Sequence, residues 1–558
     1  MRSLLHSICW LALLGTSCAG LRQAAPPVAG YHDAVGERVT VSDSTYTLPN
    51  GLLRKNTQGL WELYVAGDPL ERGLANGVLT QELLYKQESA FISKVQELVP
   101  SRFRQWALRR FLDRFNRELF DYVPTAYKAE IYGLSRSASD AFNFIAPPYQ
   151  RLLYFHAAHD IGHALQDLAL VGCTSFAAWG SHTADGKLLI GRNFDFYAGD
   201  AFAEQKMVAF IAPDRGYKHA MVTWPGMIGA VSGMNEKGLT VTINAGKSAI
   251  PTEAKTPISL LTREILQYAG NIDDAIYIAQ QREVFVSESI MVGSAADGKA
   301  VLIEVSPHQK IGVYEVSNST GVLVCANHFQ SEPYRSDRKN LRQIEESHSK
   351  YRFDRMTELL AATPKLTPAD AATMLRNRKG LDGADLGYGN EMVINQLLAH
   401  HAVIFQPEDR RMWVATSPYQ LGEFVAYDLD EVFARLKAGD METPLATDSL
   451  NIPADPFVRS AEFQHYEEFR MQMRTLAAAI AGDTSMTDAE LHDFQQLNPM
   501  FWKTDFVIGE YYQSRQRYGD ALRHYRLAAS RAVTTAGDRE LLQKRIKKCE
   551  RAVRSDGP

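Results

Sequence analysis

Cys173 is the residue whose type and setting point most directly to chemistry. It is one of five cysteines in 558 residues, and it lies between Gly172 and two hydroxyl residues, Thr174 and Ser175. A thiol in this setting is either a buried structural residue or a nucleophile. A cysteine nucleophile needs a base that takes its proton, donors that hold the oxyanion, and groups that orient both. The rest of the chain therefore has to supply these groups.

Two sources of a base are available to Cys173. One is a histidine, as in papain-like enzymes, and His328 and His401 are candidates, although nothing in their spacing requires pairing with the cysteine. The other is the α-amine of Cys173 itself, whose ordinary pKa is about 7.7–8.0. This amine becomes free only when the bond after Gly172 breaks, through attack of the thiol on the preceding carbonyl and hydrolysis of the resulting thioester. A glycine leaves that carbonyl uncrowded.

The sequence changes its pattern at Cys173. Residues 31–167 begin with a short extended stretch and then carry apolar residues at helical spacing. From Cys173 onward, short runs rich in Val, Ile, Phe and Thr alternate with turn sequences such as "TADGK" and "NEKG". The stretch "ISLLTREILQYAGNIDDAIYIAQ" then predicts a helix pair, and strands resume after it. This order predicts a layered arrangement of helices with antiparallel sheets.

The C-terminal part of the chain predicts a separate group of helices after a linker. The stretch "DFVIGEYYQSRQRYGDALRHYRLAA" is spaced like a tetratricopeptide repeat at Gly509, Tyr512, Ala521, Tyr525 and Ala528. Fewer than three such repeats seldom stand alone. We therefore expect this tail to pack on the main body.

The N-terminus is predicted to be a targeting segment. It has Arg2, then an apolar run too short to remain as a membrane span, then small residues. Its end, "LLGTSC", resembles a bacterial lipoprotein signal with Cys18 as the lipid-carrying residue, and plain secretion is the alternative. We expect an exported protein in the bacterial cell envelope or secreted from it. Membrane attachment is expected only through a lipid on Cys18.

Composition excludes some function classes. The chain is 45% hydrophobic, and its formal net charge is only −5 for 558 residues. No strongly basic stretch marks a nucleic-acid partner. After removal of the signal, Cys173, Cys325 and Cys549 remain, and three widely spaced thiols do not form a disulfide framework.

Four strings downstream of Gly172 together resemble a known superfamily. They are, in order, "CTSFAAWGSHTADGKLLIGRNFDF", "GMNEKGLTVTINAG", "CANHFQ" and "SKYRFDR". They resemble the N-terminal-nucleophile hydrolases, and most of all the acyl-coenzyme A:6-aminopenicillanate acyltransferase branch. That branch is related to choloylglycine hydrolase, penicillin V acylase, acid ceramidase and N-acylethanolamine amidase. The resemblance runs from about residue 172 to residue 416, and the upstream string "VAGDPLERGLANGVL" resembles the pro-region of this branch.

The resemblance implies a fold and a division of the chain. The expected fold is α+β, a four-layer αββα sandwich of the N-terminal-nucleophile hydrolase type, with a helical pro-segment before it and a helical tail after it. The expected parts are a signal peptide (1–18), a helical pro-segment (19–172), a catalytic domain (173–436), a linker (437–456) and a tetratricopeptide-like tail (457–558).

The resemblance also implies the site residues. Cys173 matches the nucleophile, with the cleaved bond between Gly172 and Cys173. Arg192 and Asp195 match the residues beside it. A fixed charge on Arg192 would lower the pKa of the thiol, and Asp195 would orient the new ammonium.

Three further residues match positions farther along the family's pattern. Asn244 and Asn327 match two asparagines whose amide N–H groups would stabilise an oxyanion. Arg352 matches a later arginine of the site, with Arg355 as its rival. No cofactor is expected.

A metal site is considered and not favoured. His159 and His163 lie four residues apart on a predicted helix, so both can face one ligand. The sequence holds no HExxH pattern, and the resemblance implies no metal. We predict that these histidines contribute to helix polarity or packing.

The function expected from the resemblance is that of an exported, self-processed cysteine hydrolase. It would cleave non-peptide C–N bonds of small N-acyl amides, with acyl transfer as a further activity. Water is abundant, so hydrolysis is favoured unless an acceptor is bound and aligned. The pro-segment and the catalytic chain would stay associated. Two alternatives are open: a catalytically silent lipoprotein that serves as an interaction module, and a Cys–His protease.

Overall fold

The structure is a computed structural model of the chain. It describes residues 26, 28–99, 101, 103, 105, 106, 110, 118–157, 160, 172–249, 253–307 and 311–555. The predicted signal peptide with Cys18, and the histidines His159 and His163, lie outside these described residues.

Strands in the described residues form two sheets. The large sheet has eleven strands in the order β1-β2-β3-β4-β7-β8-β9-β10-β11-β12-β13, and the small sheet has six in the order β14-β5-β6-β15-β16-β17. The strands are β1 (Val39–Ser42), β2 (Thr45–Leu48), β3 (Gly51–Lys55), β4 (Trp61–Gly67), β5 (Thr174–Ala178), β6 (Leu189–Phe194), β7 (Met207–Pro213), β8 (His219–Thr223), β9 (Ser232–Asn235), β10 (Leu239–Ala245), β11 (Glu288–Ser294), β12 (Lys299–Val305), β13 (Gly312–Tyr314), β14 (Val322–Cys325), β15 (His401–Gln406), β16 (Arg411–Ala415) and β17 (Phe424–Asp428).

The α-helices of the described residues surround the sheets and form the C-terminal region. They are α1 (Pro69–Leu98), α2 (Leu119–Tyr122), α3 (Thr125–Ser135), α4 (Pro148–His156), α5 (Asp200–Glu204), α6 (Ile258–Tyr268), α7 (Ile272–Gln280), α8 (Arg338–Glu346), α9 (Ser349–Ala362), α10 (Pro368–Leu375), α11 (Leu429–Lys437), α12 (Ala461–Ala481), α13 (Asp488–Leu497), α14 (Trp502–Ser514), α15 (Tyr518–Ala529) and α16 (Ala536–Ser555).

The two sheets pack face to face and are covered by helices on both outer faces. Phe210 and Met291 of the large sheet share one buried cluster with Val403 and Phe405 of the small sheet. Helices α1, α3, α4, α6 and α7 cover the outer face of the large sheet. Helices α9 and α10 cover the outer face of the small sheet. The predicted four-layer αββα sandwich is confirmed.

The segment before Cys173 is less helical than predicted. Residues 39–67 form strands β1 to β4, which continue the large sheet, and β4 pairs in parallel with β7. Strands β3 and β4 lie between helices and the small sheet, so their side chains are buried on both faces and show no clear alternation. The predicted extended start is therefore an integral part of the main sheet. Elsewhere in the two sheets the strand pairs are antiparallel, as predicted.

The helices of this segment are held to each other by buried ion pairs. The Arg72 guanidinium on α1 lies 2.7 Å from Glu130 on α3, and the Arg151 guanidinium on α4 lies 2.6 Å from Glu88 on α1. All four side chains are buried. Removing one partner of such a pair leaves an uncompensated buried charge, which costs about 3–5 kcal/mol. These pairs therefore fix the layer that covers the large sheet.

The C-terminal helices α12 to α16 have an apolar core of their own, and they pack on the main body as expected. Leu397 and Leu421 of the main body belong to that core. In the helix pair α14 and α15, a Cβ atom at Gly509 would lie 2.6 Å from the Tyr525 ring, so a glycine is needed there. Similarity to a tetratricopeptide repeat stays a prediction. The predicted linker 437–456 holds one short 3₁₀ turn, Asp448–Leu450.

Among the helices in the described ranges, none combines the length and the apolarity that a membrane span requires.

Candidate active site

Cys173 lies directly before β5, a strand inside the small sheet, and its side chain is buried. Strand β6 runs beside β5, with Arg192 opposite Ser175. This register brings the guanidinium to the thiol, and Arg192 Nη2 lies 3.6 Å from Cys173 Sγ. The structure thus joins two of the residues that the sequence implied.

Arg192 is held from the large sheet. Its Nη1 atom donates to the Val231 carbonyl at 3.0 Å and to Ser232 Oγ at 2.6 Å. Its Nη2 atom also donates to the Ile243 carbonyl. The charge beside the thiol is therefore anchored across the interface between the sheets.

The Cys173 thiol is protonated near neutral pH in the uncut chain. Burial raises the pKa of this thiol to about 11, although the Arg192 charge and the backbone N–H of Asp195 both favour the thiolate. A base must therefore take the proton when the sulfur attacks.

Asp195 has the properties of such a base. Burial raises the pKa of its carboxyl to about 7, against the opposing effect of Arg352 and Arg192. Its Oδ2 accepts a hydrogen bond from Gln396 Nε2 at 3.4 Å, and Oδ1 has no hydrogen-bond partner among the described residues. A carboxyl with a pKa near 7 can both take and return a proton at neutral pH.

Arg352 lies in the site and its rival Arg355 does not. Arg352 Nη1 donates to the Cys173 carbonyl and to Thr174 Oγ1, both at 2.6 Å, and Nη2 donates to Asn327 Oδ1 at 2.6 Å. Arg355 instead pairs with Glu358 at 2.8 Å. The structure therefore selects Arg352 of the two arginines.

The two asparagines connect the ends of β10 and β14. Asn244 Nδ2 donates to the carbonyls of Cys325 and Ala326, at 3.2 and 3.3 Å. Asn327 Nδ2 donates to the Ala245 carbonyl at 3.0 Å. Asn244 Nδ2 thus has two carbonyl acceptors, whereas Asn327 has one N–H with no acceptor in the part of the chain that is described. Of the two side-chain amides, Asn327 is the one with an N–H available for an oxyanion.

Gln396 is a site residue that the sequence did not indicate. Its Nε2 atom donates to the Gly172 carbonyl at 3.0 Å as well as to Asp195. Gln396 lies in the stretch "MVINQLL" between α10 and β15, which carries no catalytic motif. Only the structure brings it to the bond before Cys173.

A second unexpected group contacts Arg192 through Ser232 and includes His401 and His400. Ser232 Oγ, which accepts from Arg192, lies 2.9 Å from His401 Nε2, and His401 Nδ1 lies 2.9 Å from His400 Nδ1. Burial lowers the pKa of His400 to about 3 and that of His401 well below its usual range. Both rings are therefore neutral and add no charge to that of Arg192.

The two histidines considered as bases lie elsewhere in the structure. His401 contacts Ser232, and His328 Nδ1 lies 2.8 Å from Ser349 Oγ. Burial lowers the pKa of His328 to about 4. In the described ranges, no histidine nitrogen is within hydrogen-bonding distance of the Cys173 thiol.

Two buried carboxyls lie near the site on the side of the helices that precede Cys173. Asp160 accepts a hydrogen bond from the backbone N–H of Ile258 at 2.8 Å, and Glu288 begins β11. Burial and mutual repulsion raise the pKa of Glu288 well above its usual range, against the effect of Arg192, and burial does the same for Asp160. Within the described residues, no group of three or more His, Cys, Asp or Glu is placed to hold a metal, and His159 and His163 lie outside them.

A small aromatic cleft lies beside the site. Its apolar lining is Phe91, Phe155, Phe196, Phe202, Trp224 and Met227, and the ring of Phe196 stacks on that of Phe194 with centroids 5.7 Å apart. The guanidinium of Arg192 lies 4.2 Å from the centroid of the Phe194 ring. The guanidinium of Arg192 therefore contacts Phe194, whose ring stacks on Phe196 in the lining of the cleft.

Comparison with protein families gives one match over the catalytic region. Residues 181–417 match the model of the family described as acyl-coenzyme A:6-aminopenicillanic acid acyl-transferase. The match begins shortly after Cys173, and it includes Arg192, Asp195, Asn244, Asn327 and Arg352. It confirms the resemblance that the motifs indicated.

Two curated relatives are similar over less than half of this chain. An uncharacterized protein of Archaeoglobus fulgidus is 26% identical over 275 residues, which are 45% of this chain and 43% of that protein. Protein dcd1B of Dictyostelium discoideum is 23% identical over 263 residues, which are 44% of this chain and 50% of that protein. The chain spans about half the length of these relatives.

Similarity to solved structures is also detectable. One such structure is the Caenorhabditis elegans ortholog of N-acylethanolamine-hydrolyzing acid amidase, with 16% identity and a TM-score of 0.31, covering 42% of this chain and 93% of that one. Another is a variant of conjugated bile acid hydrolase from Clostridium perfringens, with 15% identity and a TM-score of 0.31, covering 46% of this chain and 93% of that one.

Proposed function

We propose that this chain, whose residues 181–417 carry the acyltransferase-like domain of the N-terminal-nucleophile hydrolases, is a self-processing cysteine amidase. It would cut its own backbone between Gly172 and Cys173 and then act on non-peptide amide bonds of N-acyl compounds. One observation carries the proposal. The Gly172–Cys173 bond lies inside a buried site where Arg192 faces the thiol, Asp195 adjoins it, and an amide donor already binds the Gly172 carbonyl.

The first reaction would be the cut of the chain itself. The Cys173 thiol gives its proton to Asp195 and its sulfur attacks the Gly172 carbonyl carbon. The C–N bond then breaks, and the proton returns to the nitrogen, which becomes the free α-amine of Cys173. Water hydrolyses the remaining thioester and leaves a carboxylate on Gly172 and a thiol on Cys173.

The second reaction would use the new N-terminus. The α-amine of Cys173 takes the thiol proton, and the sulfur attacks the acyl carbonyl of the substrate. The available N–H of Asn327 supports the oxyanion, and the ammonium returns its proton to the leaving amine. Asp195 accepts a hydrogen bond from that ammonium and orients it. Water then hydrolyses the S-acyl enzyme, and a bound acceptor amine would convert the same step into acyl transfer.

The cleft supports an apolar acyl group as the part of the substrate that the enzyme recognises. Its lining is aromatic, and buried apolar surface contributes about 25 cal/mol per Å² to binding. The polar side chains Gln87 and Glu88 also line it, but Glu88 is already paired with Arg151. We therefore expect substrates with an aromatic or aliphatic acyl group rather than a charged one.

The proposed location is the cell envelope, or the medium after secretion. It is supported by the signal-like sequence of residues 1–18 and by the position of Cys18 at its end. The pro-segment would remain bound after the cut, because β4 and β7 form one continuous sheet.

The alternatives have weaker support. A Cys–His protease would need a histidine at the thiol, and the nearest candidates, His328 and His401, bind serines instead. A silent interaction module is supported only by the tail helices. The buried arrangement of charge, thiol and base around one peptide bond favours a self-processing amidase over both.

Intact mass and N-terminal sequencing of the purified protein, beside a Cys173→Ala variant, test the proposal. We expect two wild-type fragments, one beginning Cys-Thr-Ser, and an uncut variant. A panel of N-acyl amides with different acyl groups would then give the substrate preference. A wild-type chain that stays whole at every pH from 5 to 9 would contradict self-processing.

A further inference from the structure

We propose that Gln396 is a catalytic residue of the self-cleavage, and that the C-terminal helices α12 to α16 hold the segment that carries it. The inference rests on the proposed self-processing, and it assigns a role to a residue and a region that no motif of the chain explains.

Gln396 touches the atom on which charge would develop. Its Nε2 lies 3.0 Å from the Gly172 carbonyl oxygen, and the Gly172 N–H donates to the Asp195 carbonyl at 3.0 Å. Both backbone polar groups of Gly172 are thus held by hydrogen bonds. A Cβ atom at Gly172 would lie 2.8 Å from Gln396 Nε2, so a larger residue at this position would push the amide away. The glycine before Cys173 permits this close approach.

The contact suits the first step of the cut. When Cys173 Sγ bonds to the carbonyl carbon, the carbonyl electrons move to the oxygen, and a donor within about 2.7–3.1 Å stabilises that oxyanion. The thiol proton goes to Asp195, and the C–N bond breaks as the nitrogen receives it. The same Gln396 amide also contacts Asp195 Oδ2 at 3.4 Å. One side chain therefore links the carbonyl that is attacked to the group that moves the proton.

The backbone around Gln396 is not supported by a helix or a strand. Residues 376–400 hold only one 3₁₀ turn, Leu381–Gly383, between α10 and β15. Leu397, the next residue after Gln396, has a φ of 54°, a conformation that residues with a side chain adopt rarely. Something outside the segment must hold this backbone in place.

The main body supplies part of that support, since Asn193 Nδ2 donates to the Ile394 carbonyl at 3.1 Å, and the C-terminal helices supply a further part. Leu397 is buried in their apolar core, among residues such as Phe469 and Phe501. Asn498 binds Tyr388 at both backbone atoms, accepting from its N–H at 3.0 Å and donating to its carbonyl at 2.8 Å.

Further contacts lie between these two anchors. Glu391 pairs with Lys503 and accepts from Thr534 Oγ1 at 3.0 Å, and Asn390 Nδ2 donates to the Ala532 carbonyl at 3.2 Å. The tail is thereby connected to the segment at several points along its length. Its role is to position the donor of the processing reaction.

The test follows the cut in the full-length chain during a cell-free synthesis time course. Gln396→Met keeps the size of the side chain and removes the donor, and Gln464→Met on the exposed face of α12 is the matched control. We expect cleavage of Gln396→Met to be about 100- to 1,000-fold slower, with an unchanged melting temperature and a normal rate for the control.

Hydroxylamine identifies which step of the cut the substitution slows. It cleaves a thioester, so it would restore the cut if Gln396→Met were defective only after the first step. We expect no restoration. Cleavage at the wild-type rate, or restoration by hydroxylamine, would overturn the inference while self-processing stands. If Gln396→Met fails to fold, Gln396→Leu removes the same donor without adding an acidic group and is measured in the same way.

The tail is tested with Asn498→Ala, which loses both bonds to Tyr388. Arg526→Ala, which removes only an exposed contact to Glu550 in the same helices, is its control. We expect Asn498→Ala to be cleaved about tenfold more slowly than the wild type. We expect Arg526→Ala to be cleaved at the wild-type rate. Equal rates for the two would overturn the role of the tail. An uncut wild-type chain would instead contradict the proposed function itself.

Discussion

Arg192 Nη2 lies 3.6 Å from the Cys173 thiol, and the same guanidinium is bound by Ser232 and by two main-chain carbonyls of the other sheet. The nucleophile therefore belongs to the small sheet while its charged partner is held by the large one. The reactivity of the thiol depends on how the two sheets are packed.

Replacing Arg192 by methionine removes the charge that opposes the effect of burial on the thiol. The pKa of Cys173 is already about 11, and we expect it to rise further. Self-cleavage should fall by about 100-fold or more, since one charged donor at a reacting group contributes a few kcal/mol. Cleavage is measured by intact mass. A variant that folds and is cut at the wild-type rate would contradict a role for the charge.

Self-cleavage should accelerate with pH, with a midpoint near 7. The pKa of Asp195 is raised to about 7, and only its ionised form can take the thiol proton, so the active form increases above that pH. Asp195→Asn should be cut at least 100-fold more slowly and should lose the midpoint near 7. Rates measured from pH 5 to 9 give the comparison.

Asp195→Asn should slow the cut, but it should stabilise the folded chain at high pH. The pKa of Asp195 is higher in the folded chain than its unfolded value of about 3.9, so the folded state prefers the protonated form. The wild type therefore loses stability as pH rises from about 4 to 7. Asp195→Asn lacks this carboxyl and should not lose this stability. The melting temperature of Asp195→Asn minus that of the wild type should therefore be larger at pH 8 than at pH 4. Both chains carry Cys173→Ala, so that neither is cut. If the melting temperatures of the two chains change with pH in the same way, the Asp195 carboxyl does not cause the loss of stability.

Ser232→Ala tests the support behind Arg192. It removes one acceptor from the guanidinium and separates it from His401. A hydrogen bond to a charged group contributes about 1.5–3 kcal/mol, so alkylation of the Cys173 thiol should slow by about tenfold, and its pH profile should shift upward. Ser319→Ala, in an exposed loop, is the control and should react normally. Identical profiles for both variants would exclude a positioning role for Ser232.

The two fragments should remain together after the cut. Strand β4 lies inside the large sheet, and Leu63 on it is buried in the core under the helices. The fragments should therefore elute together in size-exclusion chromatography and separate only in denaturant. Leu63→Ala should lower the free energy of unfolding by about 2–5 kcal/mol, in the cut and the uncut protein alike. Separation of the wild-type fragments in buffer would contradict this expectation.

The sequence predicted the parts of the site that lie in or beside strands. The resemblance implied Cys173, Arg192 and Asp195, and these residues lie on or beside two adjacent strands that one hairpin joins. Arg352 reaches the same place from helix α9, and its motif left Arg355 as a rival until the structure showed that Arg352 binds the Cys173 carbonyl while Arg355 pairs with Glu358.

The remaining contacts could not be predicted because no local pattern encodes them. Gln396 is a single glutamine in a segment without periodicity, and Leu397 beside it has a backbone that depends on helices far along the chain. Ser232 and His401 meet because the sheets stack, which strand patterns do not determine. Strands β1 to β4 were expected as a short extended start. Burial on both faces removes from β3 and β4 the alternation that marks a half-exposed strand.

The parallel pairing of β4 with β7 determines how the protein can refold after its chain is cut. The eleven-stranded sheet draws strands from both sides of the Gly172–Cys173 bond, and while that bond is intact the sheet assembles within one chain. Once the bond is cut, the same sheet belongs to two chains. Recovery from denaturant then becomes a second-order process whose rate depends on protein concentration. The mature protein would owe its persistence to slow unfolding rather than to ready re-formation.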